Sequence, residues 1–258
     1  MIVLAVTAGL SLAMMLAWAV QRRARNAGWV DVFWTFALGA AGVSYALVGG
    51  TGGPRAWLVA ALAAAWALRL GGHILRRTCQ GHEDARYARL RAEWGERFQR
   101  RMFGFLQIQA AAAALLSFAM LLAARNPAPL GVGDAAGIAV FLIAILGGGA
   151  VDEQLLCFRR EPANRGQICT TGLWHWSRHP NYFFEVLGWC TWPLLAISAA
   201  YPPGWLALAA PTLMYWLLVH VSGIPPLEAA MLRSRGDAYR TYQARTRAFL
   251  PLPKWRSK

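Results

Sequence analysis

Long apolar stretches occupy most of this sequence, and they restrict what the chain can fold into. An α-helix needs about 20 apolar residues to cross the hydrocarbon core of a bilayer. Seven stretches approach that length: 1–20, 32–48, 56–75, 105–123, 132–150, 183–200 and 204–222. Only 15% of the 258 residues are charged, which is little polar surface for a soluble domain. We therefore predict an all-α membrane protein, a seven-transmembrane-helix bundle in which residues 1–258 form a single transmembrane domain.

Positive charges are distributed unevenly among the loops of this predicted bundle. All but three of the 26 Lys and Arg residues lie in 21–31, 76–104, 151–182 and the C-terminal tail. By the positive-inside rule these segments face the cytosol, so we predict an external N-terminus and a cytosolic C-terminus. A net charge of +14 can accompany nucleic-acid binding, but basic loops beside membrane helices already account for it. No nucleic-acid partner is predicted.

Polar chemistry is concentrated in the predicted cytosolic segments. Residues 83–101 alternate charged and aliphatic side chains, which predicts an amphipathic helix along the membrane interface. A second such helix is predicted over 227–247, and Pro251 and Pro253 follow it. The external connections are short and rich in Gly and Pro. We therefore expect an active site that opens to the cytosol.

Ionisable residues inside or beside the spans are informative, because a charge in hydrocarbon costs about 3 kcal/mol or more unless it is paired. Asp31 lies at the start of the second span and Glu185 about one turn into the sixth. Asp152 follows the fifth span, Glu228 follows the seventh, and Arg69 lies within the third. These residues are either separate ties between helices or the wall of one polar ligand pocket. We predict the pocket, because every acid lies at a cytosolic helix end.

The densest polar stretch runs from 152 to 185 and combines arginines with Asn, Gln, His, Tyr and Trp. Arginine offers fixed donors for phosphate, and Pro180 predicts a helix start whose free N–H groups attract an anion. Nucleotide binding is therefore predicted, although a surface loop that binds lipid phosphate is the alternative. Neither a GxGxxG nor a GxxxxGK[ST] motif is present. No metal site is predicted, because no His, Asp or Glu set has ligand spacing and the four cysteines form no CxxC pair.

The segment 172–185, with its Ser177-Arg178-His179-Pro180-Asn181-Tyr182 core and Glu185, resembles the membrane-bound steroid 5α-reductase family, and most closely its bacterial branch. Further matching pieces are Asp31-x-x-Trp34, Arg69, Glu83-Asp84-x-Arg86-Tyr87, Asp152-x-Gln154, Phe158-Arg159, Asn164-x-Gly166, Tyr239-x-x-Tyr242 and Phe249-Leu250-Pro251. The resemblance implies an enzyme of the bacterial inner membrane that binds NADPH in a cytosolic polar cavity. It also implies reduction of the C=C bond of a steroid or other apolar enone that enters from the membrane.

The resemblance also suggests roles for individual residues. The cofactor-binding residues it implies are Arg69, Asp84, Arg86, Asp152, Arg159, Asn164, Arg178, His179, Asn181, Tyr182, Glu185 and Glu228. The family polarises the 3-oxo group with a glutamate and a tyrosine from early spans. Here the second span has no Gln-Glu pair, so Asp31 and Tyr87 are the predicted catalytic pair. Trp34 and Trp66 are predicted to shape the substrate pocket.

Two other functions remain open. The Arg-His-Pro-x-Tyr pattern also occurs in isoprenylcysteine and phospholipid methyltransferases, which bind S-adenosylmethionine in a similar cavity. Those enzymes usually have a Glu-Glu pair near the tail, whereas Ala229 follows Glu228 here. A non-enzymatic lipid carrier would explain an apolar pocket but not the arginine-rich stretch. The expected partners are the substrate and membrane lipids, and the expected state is a monomer.

Overall fold

The structure is a computed structural model that describes residues 1–81, 83 and 85–253. Within these ranges the chain is mostly helical and forms no β-strand beyond two isolated bridges. Asp84, a predicted cofactor residue, lies outside the described residues. In chain order the α-helices are α1 (Ile2–Ala24), α2 (Gly28–Gly49), α3 (Pro54–Cys79), α4 (Ala85–Trp94), α5 (Phe98–Arg125), α6 (Val132–Arg160), α7 (Leu173–Trp176), α8 (Pro180–Trp189), α9 (Thr191–Ala196), α10 (Ala209–Trp216) and α11 (Ile224–Arg245).

Shorter helical pieces connect several of these elements. Three 3-10 helices cover Gly95–Arg97, Pro162–Asn164 and Pro202–Leu208, and a π-helical turn covers Leu217–Val221 between α10 and α11. The chain divides into two compact units. The first combines Met1–Gly137 with Thr191–Ala210, and the second combines Ile138–Cys190 with Pro211–Lys258.

Six helical segments of the described chain are long and apolar enough to cross a membrane. They are Ile2–Ala24, Gly28–Gly49, Pro54–Cys79, Arg86–Arg125, Val132–Arg160 and Pro202–Arg245. They coincide with six of the seven predicted spans and confirm an all-helical chain with several membrane-spanning candidates. The remaining span, 183–200, is interrupted where α8 ends and Cys190 forms a turn before α9. Pro193 explains this break, because proline has no N–H to donate to the carbonyl four residues earlier.

The last candidate, Pro202–Arg245, changes character after the π-helical turn. The part that follows, α11, carries six charged residues: Glu228, Arg233, Arg235, Asp237, Arg240 and Arg245. A helix with this many charges does not lie in hydrocarbon. The stretch 204–222 is therefore the apolar part of this candidate, and the charges of α11 do not suit a hydrocarbon environment.

In the first unit, small residues allow α2 and α3 to pack closely. A Cβ atom added at Gly39 would lie 2.2 Å from Cβ of Ala67, and one at Gly71 would lie 2.8 Å from the ring of Phe36. Glycine at these positions removes the side chain that would hold the helix backbones apart, as is usual between membrane helices.

A buried ion pair fixes the connection between α5 and α6. The guanidinium of Arg55 binds both carboxylate oxygens of Asp134, at 2.8 and 2.6 Å, and both residues are 5% exposed. The same guanidinium donates to the backbone carbonyls of Asn126 and Pro129, at 2.8 and 3.0 Å. The sequence predicts a short, turn-like connection here, and the structure shows in addition that Arg55 binds it through both backbone carbonyls and a carboxylate.

Candidate functional site

In the first unit, the predicted catalytic residues Asp31 and Tyr87 are in direct contact. The Tyr87 hydroxyl donates to Oδ1 of Asp31 at 2.7 Å, and the tyrosine side chain is fully buried. Arg86, a predicted cofactor residue, donates through Nη2 to both Asp31 oxygens, at 3.2 and 3.0 Å. Its guanidinium carbon also lies 4.9 Å from the centroid of the Tyr87 ring. Asp31 therefore accepts hydrogen bonds from both neighbours, as a carboxylate does.

Glu83 positions the start of α4 and so supports this contact. Its Oε1 accepts from the backbone N–H of Ala27 at 2.8 Å and from Arg91 at 2.9 Å. Ala27 immediately precedes α2, the helix that carries Asp31. Glu83 thus connects the loop before α2 to α4, and this connection holds Tyr87 at hydrogen-bonding distance from Asp31. From the sequence alone, Glu83 is recognisable only as part of a motif.

The two predicted substrate tryptophans have different surroundings. Trp34 is partly exposed, and its indole N–H donates to the backbone carbonyl of Gln109 on α5 at 3.2 Å. Trp66 on α3 is 6% exposed. The Trp34 ring is therefore fixed against α5, one turn of α2 beyond Asp31. The pocket-shaping role of both residues stays a prediction.

In the second unit, Arg178, His179 and Glu228 converge, although the sequence analysis assigned all three to the cofactor. Oε1 of Glu228 accepts from Nε of Arg178 at 2.8 Å and lies 2.6 Å from its Nη2. The Nη1 group of Arg178 donates to the Gln243 carbonyl at 3.3 Å and also to the carbonyl of Thr246. The observed partners of the Arg178 guanidinium are thus protein groups, and its contact with a cofactor stays a prediction.

His179 completes this cluster from a fully buried position. Its Nε2 lies 3.1 Å from Oε1 of Glu228, and because a carboxylate only accepts, the hydrogen resides on Nε2. The imidazole ring stacks on Tyr182 with centroids 5.5 Å apart. Burial lowers the pKa of His179, and the hydrogen bond to Glu228 opposes that effect only in part. The pKa of Glu228 is lowered to about 2, because hydrogen bonds from His179 and Arg178 outweigh its desolvation.

A sharp bend in α11 brings the fourth member, Gln243, to the cluster. Nε2 of Gln243 donates to Oε2 of Glu228 at 2.7 Å, although the two residues are 15 positions apart on the same element. In a straight helix they would be about 22 Å apart. Gly236 between them has φ 50° and ψ −123°, a conformation essentially restricted to glycine. The predicted single helix over 227–247 is therefore wrong in detail, because Gly236 divides it into two arms.

The segment 246–249 is joined to the Arg-His-Pro motif through the backbone. The Ser177 hydroxyl donates its one hydrogen to the carbonyl of Phe249 at 2.8 Å, and the carbonyl oxygen of Ala248 lies 3.2 Å from the same Oγ. The N–H of Arg178 donates to the carbonyl of Arg247 at 2.9 Å, and Tyr242 donates its hydroxyl hydrogen to the Trp174 carbonyl. Ser177 and Gln243 are not recognisable as positioning residues from the sequence, because their partners are too distant along the chain for any local pattern to reveal them.

The turn before α7 depends on Gln154, which the sequence analysis quoted only as part of the resemblance. Its Oε1 accepts from the N–H of Leu173 at 2.9 Å, next to Gly172, whose φ is 58°. A Cβ atom at Gly172 would lie 2.5 Å from that same oxygen. Trp174 donates its indole N–H to the carbonyl of Val151 at 3.2 Å. These contacts hold the end of α6 against the start of the motif.

The remaining predicted cofactor residues are distributed over both units. Asp152 and Arg159 lie on α6, Asn181 and Glu185 on α8, and Arg69 on α3 of the first unit. Arg159 is exposed and the other four are partly exposed. Two further contacts involve predicted residues: Glu185 accepts from the Trp189 indole at 2.9 Å, and Asn164 donates to the Phe158 carbonyl at 3.0 Å. Binding of a cofactor by this set stays a prediction.

The long apolar helices, with polar clusters at their ends, are those of an integral membrane protein of the all-α class. Residues 17–246 match the family described as "Protein of unknown function (DUF1295)", and the chain belongs to this family. No curated protein and no solved structure matches the chain.

Proposed function

We propose that this protein is an NADPH-dependent reductase that saturates the C=C bond of an α,β-unsaturated ketone on a steroid or similar lipid. The observation that carries the proposal is the 2.7 Å hydrogen bond between Tyr87 and Asp31. An acid and a tyrosine are the pair that the steroid 5α-reductase resemblance implies for carbonyl polarisation. The proposal therefore rests on two residues that were predicted together and are in contact.

The reaction needs a hydrogen-bond donor on the ketone oxygen and exclusion of water from the alkene. Tyr87 would supply this donor by turning its hydroxyl hydrogen from Asp31 to the ketone oxygen. The positive charge of Arg86 beside the ring would stabilise the negative charge that develops there. Bound NADPH would supply the hydride to the β-carbon. A proton from solvent or a side chain would then be added to the α-carbon.

The residues of the second unit have the composition expected of a dinucleotide site. Its described part carries more arginines than acids, and Arg159 is an exposed guanidinium suited to phosphate. Asn181 lies in the first turn of α8, directly after Pro180, where helix N–H groups favour an anion. Asp152 and Glu185 offer carboxylates for ribose hydroxyls. Arg178 and Glu228 would contribute indirectly, by holding the segment that precedes Asn181.

We further propose seven membrane crossings, with α8 and α9 as the interrupted one. The N-terminus would be external and the C-terminus cytosolic, in the inner membrane of a bacterium, with the active site open to the cytosol. The distribution of Lys and Arg between loops supports this orientation.

The direct test is NADPH oxidation by the purified, detergent-solubilised protein with a panel of 3-oxo-Δ4 steroids and smaller enones. Tyr87→Phe should reduce kcat by about 100-fold or more, because the carbonyl loses its donor. Tyr45→Phe is a matched control, since Tyr45 is an equally buried tyrosine on α2. Equal activity of Tyr87→Phe and the wild-type protein would contradict the assignment of Tyr87.

Ligand-dependent melting separates this function from its alternative. NADPH should raise the melting temperature of the protein, because a ligand that binds only the folded state stabilises it. Stabilisation by S-adenosylmethionine instead, with no NADPH consumed on any enone, would overturn the reductase proposal in favour of a membrane methyltransferase.

A further inference from the structure

The end of α1 and the start of α5 are held together by side-chain contacts in the first unit. Gln21 donates through Nε2 to Oε1 of Gln99 at 2.8 Å, and the Trp18 indole donates to the Gln99 carbonyl at 3.0 Å. The rings of Trp18 and Phe103 meet edge to face, with centroids 5.5 Å apart. The two helix ends are therefore joined by two hydrogen bonds and by an aromatic pair.

Three exposed arginines border this contact. Arg22 follows Trp18 by four residues, and its guanidinium carbon lies 4.5 Å from the centroid of the Trp18 ring. Arg25 directly follows the last residue of α1, and Arg100 lies in the first turn of α5, three residues before Phe103, so both belong to the helix ends that this contact joins. We call Arg22, Arg25 and Arg100 the α1–α5 basic site.

The positive charge of the α1–α5 basic site is not neutralised within the part of the chain that the structure describes, where none of its members forms an ion pair. The described acids nearby in sequence are Asp31, Glu83, Glu93 and Glu96. Asp31 pairs with Arg86, Glu83 with Arg91 and Glu93 with Arg89. Among these four, Glu96 has no such pair, and it is exposed on the 3-10 helix. Further exposed arginines of these segments add to the positive charge: Arg23, Arg97 and Arg101.

We propose that the α1–α5 basic site binds the phosphodiester headgroup of an anionic phospholipid. Guanidinium groups bind phosphate oxygens through paired N–H donors, and tryptophan typically lies at headgroup level. The lipid acyl chains would lie along exposed apolar side chains on the Arg22 face of α1, among them Met15, which is two turns before Arg22 and 39% exposed. This arrangement gives one lipid both a charged and an apolar contact, which distinguishes the site from arginines that only border the membrane.

The test is native mass spectrometry of the full-length, delipidated protein titrated with dioleoylphosphatidylglycerol. The triple variant Arg22→Gln/Arg25→Gln/Arg100→Gln should bind this lipid about 100-fold more weakly, at roughly fivefold for each arginine lost. The matched control is Arg233→Gln/Arg235→Gln/Arg245→Gln, which removes three exposed arginines of α11 and should bind as the wild-type protein does. Unchanged melting temperatures of both variants would show that they fold.

Two further titrations distinguish the source of the phosphate. Dioleoylphosphatidylcholine has the same acyl chains without net charge and should bind much more weakly, while inorganic phosphate should not displace phosphatidylglycerol at equal concentration. Equal weakening in both triple variants would overturn the proposal, because charge alone would then explain binding. Equal binding of the zwitterionic lipid, or full displacement by inorganic phosphate, would overturn it as well.

Discussion

Glu228 and Gln243 are 15 positions apart on α11, yet the Gln243 amide donates to the Glu228 carboxylate at 2.7 Å. The bend at Gly236 makes this contact possible, and it places the carboxylate where Arg178 and His179 also reach it. The polar cluster of the second unit therefore depends on the backbone conformation of a single glycine.

Gly236→Ala should destabilise the protein through backbone strain alone. An added Cβ atom would have open space around it, so no clash contributes, but φ 50° with ψ −123° is unfavourable for alanine by roughly 1–3 kcal/mol. Gly149→Ala is the control, because Gly149 lies in α6 with equally open space and alanine favours a helix. Thermal unfolding should show a lower melting temperature for Gly236→Ala only; equal melting of both variants would contradict this account.

Glu228→Ala should destabilise the protein by about 3–5 kcal/mol, because it leaves the buried Arg178 guanidinium without its carboxylate. The side chains of Arg178 and Glu228 are 9% and 15% exposed. Asp237→Ala provides the comparison, since it breaks an ion pair with Arg240 that is almost entirely exposed. Chemical unfolding should show a much larger loss of stability for Glu228→Ala than for Asp237→Ala. A loss of stability of similar size in both variants would indicate that burial of the Arg178–Glu228 pair is unimportant.

Stability should decrease as the pH falls below 6.5, the ordinary pKa of histidine. The folded state lowers the pKa of His179, so the unfolded chain binds a proton first and folding becomes less favourable from that pH downward. Glu228 adds to the loss as the pH falls from 4.5 towards its folded value of about 2. The melting temperature should decrease as the pH is lowered across this range. In His179→Gln, the decrease between pH 6.5 and 4.5 should be absent.

Asp134→Asn should weaken the connection between α5 and α6. It should not affect the Asp31–Tyr87 contact or the cluster around Glu228. The substitution removes the negative charge that compensates Arg55, which is 5% exposed. We therefore expect the free energy of unfolding to decrease by about 3 kcal/mol. Hydrogen exchange should increase in residues 126–134, because Arg55 binds the carbonyls of Asn126, Ala128 and Pro129 at the start of this segment. Unchanged exchange there would argue against a structural role for the Arg55–Asp134 pair.

The sequence predicted most of the helices, because apolar stretches of membrane length leave few alternatives. It missed the interruption at Cys190, since a proline within an apolar stretch does not reveal whether the helix will bend or stop. The sequence indicates that Arg178, His179 and Glu228 are polar residues of functional interest, but it does not reveal their contacts with one another. Such contacts join positions about 50 apart, and only the bend at Gly236 and the folded segment 246–249 determine them.

The hydrogen bonds from Ser177 and Arg178 to the backbone of 246–249 also determine when this part of the protein can mature during translation. The motif is synthesised some 70 residues before its partners, so these donors cannot form their final hydrogen bonds until the segment 246–249 has been made. Release of the segment 246–249 from the ribosome is thus a prerequisite for the Arg-His-Pro motif to reach its final form.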